Sequence, residues 1–263
     1  MTKTVAIVQA RMGSSRLPKK ILKRLGSKTV LQTVLERLQL ATRIDQVCCA
    51  TSDLTEDDEV VDEAKRHGFY VFRGEHQDVL NRYASAAKEL KAHIVVRVTS
   101  DCPSVDPKIV DDLLDLRERM NADYASNNMP RSWPIGMDVE VFTNAALQEA
   151  NSCAINADHR EHVSPWMRVA KTLRRTNLSA RQVILNNIRL TIDYLDDYKF
   201  FEHLIACAPG KELPLSFEDT MSIIQSNSVL MNYFSSTKIV EAKHDFGVLE
   251  DVKIHPEIVN DNP

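Results

Sequence analysis

The feature that most constrains this chain is a regular alternation, through its first half, of short apolar runs with amphipathic helical segments. Residues 4–9 are β-branched and apolar, and residues 30–41 then place Val30, Val34, Leu35 and Leu38 at helical spacing. Residues 46–50 form a second apolar run, 57–67 a charged helix ended by Gly68, and 69–72 a third strand. Asp78 is placed to cap a helix through Leu80, Tyr83, Ala84 and Ala87, and 94–98 is the purest buried-strand signal in the sequence. Asp106 followed by Pro107 opens one more helix, through Val110, Leu113, Leu114 and Leu116. Such alternation predicts an α/β fold: a mostly parallel sheet covered by helices, with ligands beyond the carboxyl ends of the strands.

After that helix the rhythm changes. Residues 124–142 carry Asn127, Asn128, Pro130, Trp133, Pro134 and Gly136, then an alternating run in which Asp138, Glu140 and Phe142 share a face. This reads as an insertion, about 124–165, that lines a cleft. Residues 188–192 read as another strand ending in acid, with helices over 198–208 and 217–224 and a polar tail from 236 to 263. At 263 residues the chain has room for one generous α/β domain, taken as 1–235, and no repeat or long linker divides it.

A formal charge of -4 argues against a general nucleic-acid binder, so any polyanion site is local. Lys3 precedes an apolar run that stops at Gln9 and Arg11, which fits neither a signal peptide nor a membrane span, and a cytoplasmic location is expected. Five cysteines without C-x-x-C spacing argue for reduced thiols rather than disulfides or a zinc knuckle. Cys102 adjoins Asp101 but has no neighbouring His or Lys in sequence to activate it as a nucleophile.

The strongest chemical signal is the loop after the first strand, residues 9–20, where Arg11, Arg16, Lys19 and Lys20 surround Gly13, Ser14 and Ser15. Small residues let backbone N–H groups and hydroxyls approach phosphate oxygens, and Arg11, Arg16 and Lys20 can neutralise charge moving onto a leaving pyrophosphate. A merely solvated basic loop has the same composition. The order G-x-x-x-x-G-K-[ST] is absent, so this is not a Walker loop.

QARMGSSRLPKKIL resembles the nucleotide-binding signature of the cytidylyltransferases that activate sugar acids. The family typically has glycine where this chain has Lys19. The likeness recurs in order through TSDLTEDDEVVDEAKRHG, FRGEHQDVLNRY, VRVTSDCPSVDP, PIGMDVEVF, DHREHVSP and RLTIDYLDD, covering roughly residues 4–200. It implies a glycosyltransferase-A-like, Rossmann-type nucleotidyltransferase fold with an inserted β segment, often assembled as a homodimer. It further implies CTP as nucleotide and a sugar-like acceptor.

On this resemblance Arg11, Arg16, Lys20 and Asp101 are the catalytic set, and Asp101 with Asp193 would hold Mg2+ against the triphosphate. Nucleotide contacts are expected from Ala10, Gly13, Ser14, Ser15 and Ser100 besides the cations of the loop, with Thr51, Asp53, Asp78 and Arg82 assigned to base and ribose. Asp78 and Arg82 have the alternative of a helix cap and its surface ion pair. Where the family continues Thr-Pro-Glu-Asp after the second acid, this chain has Tyr194-Leu195-Asp196-Asp197, and Asp196 is expected to cap the next helix. Asp138, Glu140, Arg160 and His162 are the candidates for the acceptor pocket. His159 and His162 share a helical face, but two ligands are too few for zinc.

A phosphonate or phosphorylated alcohol in place of the sugar keeps the same chemistry. A glycosyltransferase on this sheet would carry a D-x-D motif after a central strand, which the sequence Asp101-Cys102-Pro103 lacks.

Overall fold

The computed structural model describes residues 2–180, 188–213, 216–236 and 253–256. Strand β1 (Thr4–Gln9) leads through the basic loop and a small hairpin of β2 (Arg24–Leu25) and β3 (Lys28–Thr29) into α1 (Val30–Gln39). Then follow β4 (Gln46–Ser52), α2 (Asp58–Arg66), β5 (Tyr70–Gly74), α3 (Val79–Glu89), β6 (Ile94–Thr99) and α4 (Pro107–Arg119). Next come β7 (Tyr124–Ser126), β8 (Glu140–Thr143), α5 (Asn144–Cys153), α6 (Ala157–His162), α7 (Pro165–Val169) and β9 (Arg175–Ser179). The chain closes with α8 (Leu195–Cys207), α9 (Phe217–Ser226), α10 (Ser228–Ser236) and β10 (Lys253–Pro256).

Among the described residues the main sheet has the order β10-β9-β7-β8-β6-β1-β4-β5. Its pairs are parallel except those that β8 makes with β6 and β7. Alternate side chains of β1 feed two cores, as the pleat requires. Ala6 and Val8 pack with α1, α2 and α4 on one face, and Val5 and Ile7 pack with α3 and α5 on the other. Side-chain caps set the helix starts: Thr29 accepts from Gln32 N (3.0 Å), Asp78 from Asn81 N (2.9 Å) and Asp106 from Lys108 N (2.7 Å). Each such cap is worth about 1 kcal/mol.

The predicted mostly parallel α/β sheet is therefore observed, and the inserted β segment, β7 and β8, belongs to it. Two local expectations are corrected. Residues 188–192 do not form a strand: they make one isolated bridge, Ile135 to Arg189, and bond to loops instead. Their apolar pattern reflects burial alone, since Leu190 and Ile192 are fully buried. The stretch around Trp133 does not line a cleft, because Trp133 sits in the core edge-on to Phe217 (5.4 Å between centroids) and donates its indole N–H to Leu178 O (3.0 Å).

Of the segment read as a polar tail, Lys253–Pro256 forms a strand parallel to β9, whereas residues 237–252 and 257–263 lie outside the described residues. Among the described residues no helix is long and apolar enough to cross a membrane.

Candidate active site

The basic loop leaves the carboxyl end of β1, between the ends of β4 and β6. Ala10 N still bonds Ala50 O (3.1 Å), so the loop starts as a continuation of the sheet. Its next turn is held from across the cleft wall: Met12 N donates to Asp57 Oδ1 (2.6 Å), and Ser52 Oγ donates to the other oxygen of that buried carboxylate. Buried Leu17 and Ile21 pin the far end. Lys19, standing where glycine is usual, adopts φ 55° and ψ 29°, so the left-handed turn a glycine would make is kept. Its side chain points away from the cleft to Glu59 (2.6 Å).

At the loop's end Lys20 Nζ lies 2.7 Å from Asp101 Oδ2 and 3.0 Å from Asp193 Oδ1. Arg16 reaches the same Asp193 oxygen at 2.9 Å, and Arg189 takes the other at 2.5 Å. Asp101 follows β6, and its backbone carbonyl accepts from Ile192 N (2.9 Å), which sets Asp193 beside it. Burial pushes the Asp193 carboxyl up, but Lys20 and Arg189 outweigh it and hold it below the usual carboxylate range. Burial likewise lowers the Lys20 ammonium, and the two acids more than restore it.

Two carboxylates converging on one cation suit magnesium, which takes one or two protein carboxylates and completes its octahedron with water and substrate phosphates. Among the described residues no group of three or more His, Cys, Asp or Glu could hold a metal unaided, around His159 and His162 or elsewhere.

These groups wall a cleft of about 420 Å³. Of the residues singled out from sequence, Ala10, Arg11, Gly13, Ser14, Ser15, Arg16, Lys20, Arg82, Ser100, Asp101, His162 and Asp193 line it. Gln9, Ile21, Val79, Thr99 and Glu161 join them. Arg11 leans across the mouth toward Glu161 of α6 (3.5 Å).

Thr51, Asp53, Asp78, Asp138, Glu140 and Arg160 do not line the cleft. Thr51 is fully buried at the end of β4, and Asp53 is exposed beyond it. Asp78 caps α3 and pairs with Arg160 (2.6 Å) rather than Arg82, locking α6 onto α3. Arg82 is buried and spends its guanidinium on the carbonyls of Glu75 and His76 (2.8 Å each). Asp138 pairs with Arg131 (2.7 Å) and accepts from Gly136 N (3.2 Å).

Glu140 is 1% exposed, gripped by Arg97, Arg168 and Tyr124 under the sheet. Its alternation with Phe142 was legible, but the shared face turns to α5 and α7 rather than to solvent. Asp196 is not the cap of α8; Asp197 accepts from the backbone N–H groups of Asp193 and Tyr194 (2.8 Å each). Sequence reasoning missed Asp57, whose loop contact spans 45 positions and leaves no short-range pattern. It also missed Arg189, which bonds both Asp193 and Asp197.

Two backbone features aim the remaining groups. His162 ends α6 just before Val163, a β-branched residue at φ 69° and ψ −58°, where Ser164 N closes on His162 O at 2.8 Å. This is a γ-turn of the strained kind, a conformation that persists only where the surroundings enforce it. Gly136 (φ 98°) lies so close to residues 190 and 191 that a Cβ would meet Leu190 C and O at 2.3 Å. Gly136→Ala must push the Asp193 segment away. Misplacement of about 1 Å can cost on the order of a hundredfold in rate, so a drop in kcat near that size is expected in a protein whose circular dichroism is native.

Cys102 is buried behind Asp101, and burial followed by that carboxylate's charge pushes its thiol well above the usual range. It is a packing residue.

A sequence profile described as cytidylyltransferase matches residues 5–239. Spore coat polysaccharide biosynthesis protein SpsF of Bacillus subtilis is 30% identical over 234 residues, 86% of this chain and 96% of SpsF. A cytidylyltransferase from Leptospira borgpetersenii superposes with a TM-score of 0.82 at 32% identity, over 91% of this chain and 99% of that one. CMP:2-keto-3-deoxy-manno-octonic acid synthetase complexed with CTP shares the fold, with a TM-score of 0.51 at 19% identity over 64% of this chain and 86% of the synthetase.

Proposed function

The chain belongs to the cytidylyltransferase family, and from that premise we propose that it transfers the cytidylyl group of CTP to a sugar or sugar acid, releasing pyrophosphate, for a surface polysaccharide. The observation that carries the reading is the meeting of Lys20, Asp101 and Asp193 in a cleft that the cationic loop also lines. Asp101 and Asp193 would hold magnesium, which would supply Lewis-acid withdrawal of charge from the phosphates.

The chain's own groups do the rest. Backbone N–H groups of Gly13 and Ser15 and the side chains of Arg11, Arg16 and Lys20 receive the triphosphate and stabilise the charge that builds on the leaving pyrophosphate. Asp57 keeps the loop in its cradle shape through Met12 N (2.6 Å). Arg82 and Ser100 border the nucleoside end of the cleft. The acceptor enters beside His162 and Glu161, on the α6 wall that the Asp78–Arg160 pair (2.6 Å) braces. Attack on the α-phosphorus is direct, so positioning and electrostatics supply most of the acceleration. The similarity to SpsF, a spore coat polysaccharide biosynthesis protein, supports the polysaccharide assignment. A cytoplasmic homodimer is the assembly this reading carries with it.

Pyrophosphate release, measured with each nucleoside triphosphate, Mg2+ and a panel of keto-sugar acids, sugars and phosphonates, tests the assignment. Release with CTP and a sugar-type acceptor is expected. Release with a phosphonate alone reassigns the acceptor, and the absence of both release and a thermal shift with CTP refutes cytidylyl transfer.

A further inference from the structure

We infer that Lys20 holds the place of the divalent cation in the nucleotide-free protein, so that metal enters this site only together with a nucleoside triphosphate. The inference rests on the metal–nucleotide reading above and concerns the order in which that site fills.

Each carboxylate oxygen of Asp193 is already engaged. Oδ1 accepts from Lys20 at 3.0 Å and from Arg16 at 2.9 Å, and Oδ2 accepts from Arg189 at 2.5 Å. Lys20 also spans to Asp101 Oδ2 at 2.7 Å, with its side chain only 14% exposed. Arg189 is shared with Asp197 (3.0 Å), so three cations face three carboxylates and the cluster is neutral by count. A hydrated divalent ion arriving alone finds no uncommitted charge on Asp193. It must shed water, which magnesium does reluctantly, and must also evict a largely buried ammonium from between two carboxylates.

A triphosphate removes that obstacle. Its oxygens offer Lys20 and Arg16 charge-assisted hydrogen bonds at least as strong as those they leave. Lys20 can turn on its flexible four-carbon stem without backbone movement. Arg16 is held by a lighter anchor, its guanidinium 5.0 Å from the Tyr194 ring and 3.3 Å from the Tyr194 hydroxyl, in a side chain that is half exposed. Once both cations turn to phosphate, Asp101 and Asp193 present free oxygens to one point. Metal and nucleotide are then positively coupled, and linkage makes the coupling reciprocal.

The test is Mn2+ binding without nucleotide, followed by loss of the free-ion electron paramagnetic resonance signal, in the full chain and in Lys20→Met and Lys20→Arg. Wild type and Lys20→Arg are expected to bind weakly, and Lys20→Met about tenfold or more tightly, within the usual range of such couplings. Adding Asp101→Asn to Lys20→Met is expected to erase the gain. Lys20→Gln, which keeps a donor for Asp101 without the charge, replaces Lys20→Met should that variant not fold. Equal Mn2+ affinity in wild type and the uncharged variants overturns the inference and leaves the cytidylyl reading standing. Failure of CTP to raise the wild-type melting temperature, with or without Mn2+, overturns that reading and the inference with it.

Discussion

Asp101→Asn is expected to lower kcat for cytidylyl transfer by about a thousandfold or more, the scale on which a lost electrostatic contact to developing charge registers. The melting temperature should move by only a few degrees. Side chain and backbone do separate work at this position. What organises the neighbourhood is the Asp101 carbonyl, which accepts from Ile192 N (2.9 Å) and Thr191 Oγ1 (3.1 Å), and asparagine keeps that carbonyl. What asparagine loses is one of the two negative charges that contact Lys20. Lys20 then keeps a single anionic partner, Asp193 at 3.0 Å, and the proposed metal position loses half its protein charge. Turnover within a fewfold of wild type would remove Asp101 from the metal site. Steady-state kinetics alongside calorimetry decides between them.

Glu140→Gln is expected to act on stability, by about 3–5 kcal/mol, because it leaves two arginines inside the protein without their counter-charge. For a domain of this size that lowers the melting temperature by on the order of 10 °C. Glu140 lies between Arg97 and Arg168, the latter at 2.6 Å, with the hydroxyl of Tyr124 donating to it as well. Burial would raise its carboxyl, but Arg168 and Arg97 reverse this and drive it far below the ordinary glutamate range. A depressed folded value means the stabilisation is complete above the unfolded glutamate value, near 4.3, and drains away as pH falls toward the folded value. The wild type should therefore lose stability steeply in acid, while Glu140→Gln shows a flatter profile below about pH 4. Parallel profiles would mean that Glu140 is not the charge that holds this cluster.

The contrast between these two acids shows how far the sequence could be read. The place of Asp101 at the cleft was legible from position, because it follows the most apolar strand and a parallel sheet presents ligands at strand ends. The caps Asp78 and Asp106 were legible for a similar reason, since capping is settled within three residues. Glu140 was misassigned because alternation reports that residues share a face and says nothing about what that face meets. Here it meets Arg97 of β6 and Arg168 of α7. Residues 188–192 were misread for the converse reason: burial was correct, but the hydrogen-bond partner was a loop rather than a neighbouring strand. The roles of Asp57 and Gly136 were invisible because each acts through a contact with a distant segment, Met12 N for the first and the backbone at Leu190 for the second.

Cytidylyl transfer as proposed therefore depends on one convergence, of the cations between Arg11 and Lys20 with the carboxylates of Asp101 and Asp193, on a single metal–nucleotide complex. A crystal soaked with CTP and Mn2+, with data collected at the manganese edge, tests it most directly. The account predicts one anomalous peak about 2.1–2.3 Å from an oxygen of each acid, phosphate oxygens completing the shell, and Lys20 turned from the carboxylates onto phosphate. A manganese peak elsewhere, or CTP bound with Lys20 still clasped between Asp101 and Asp193, would contradict it.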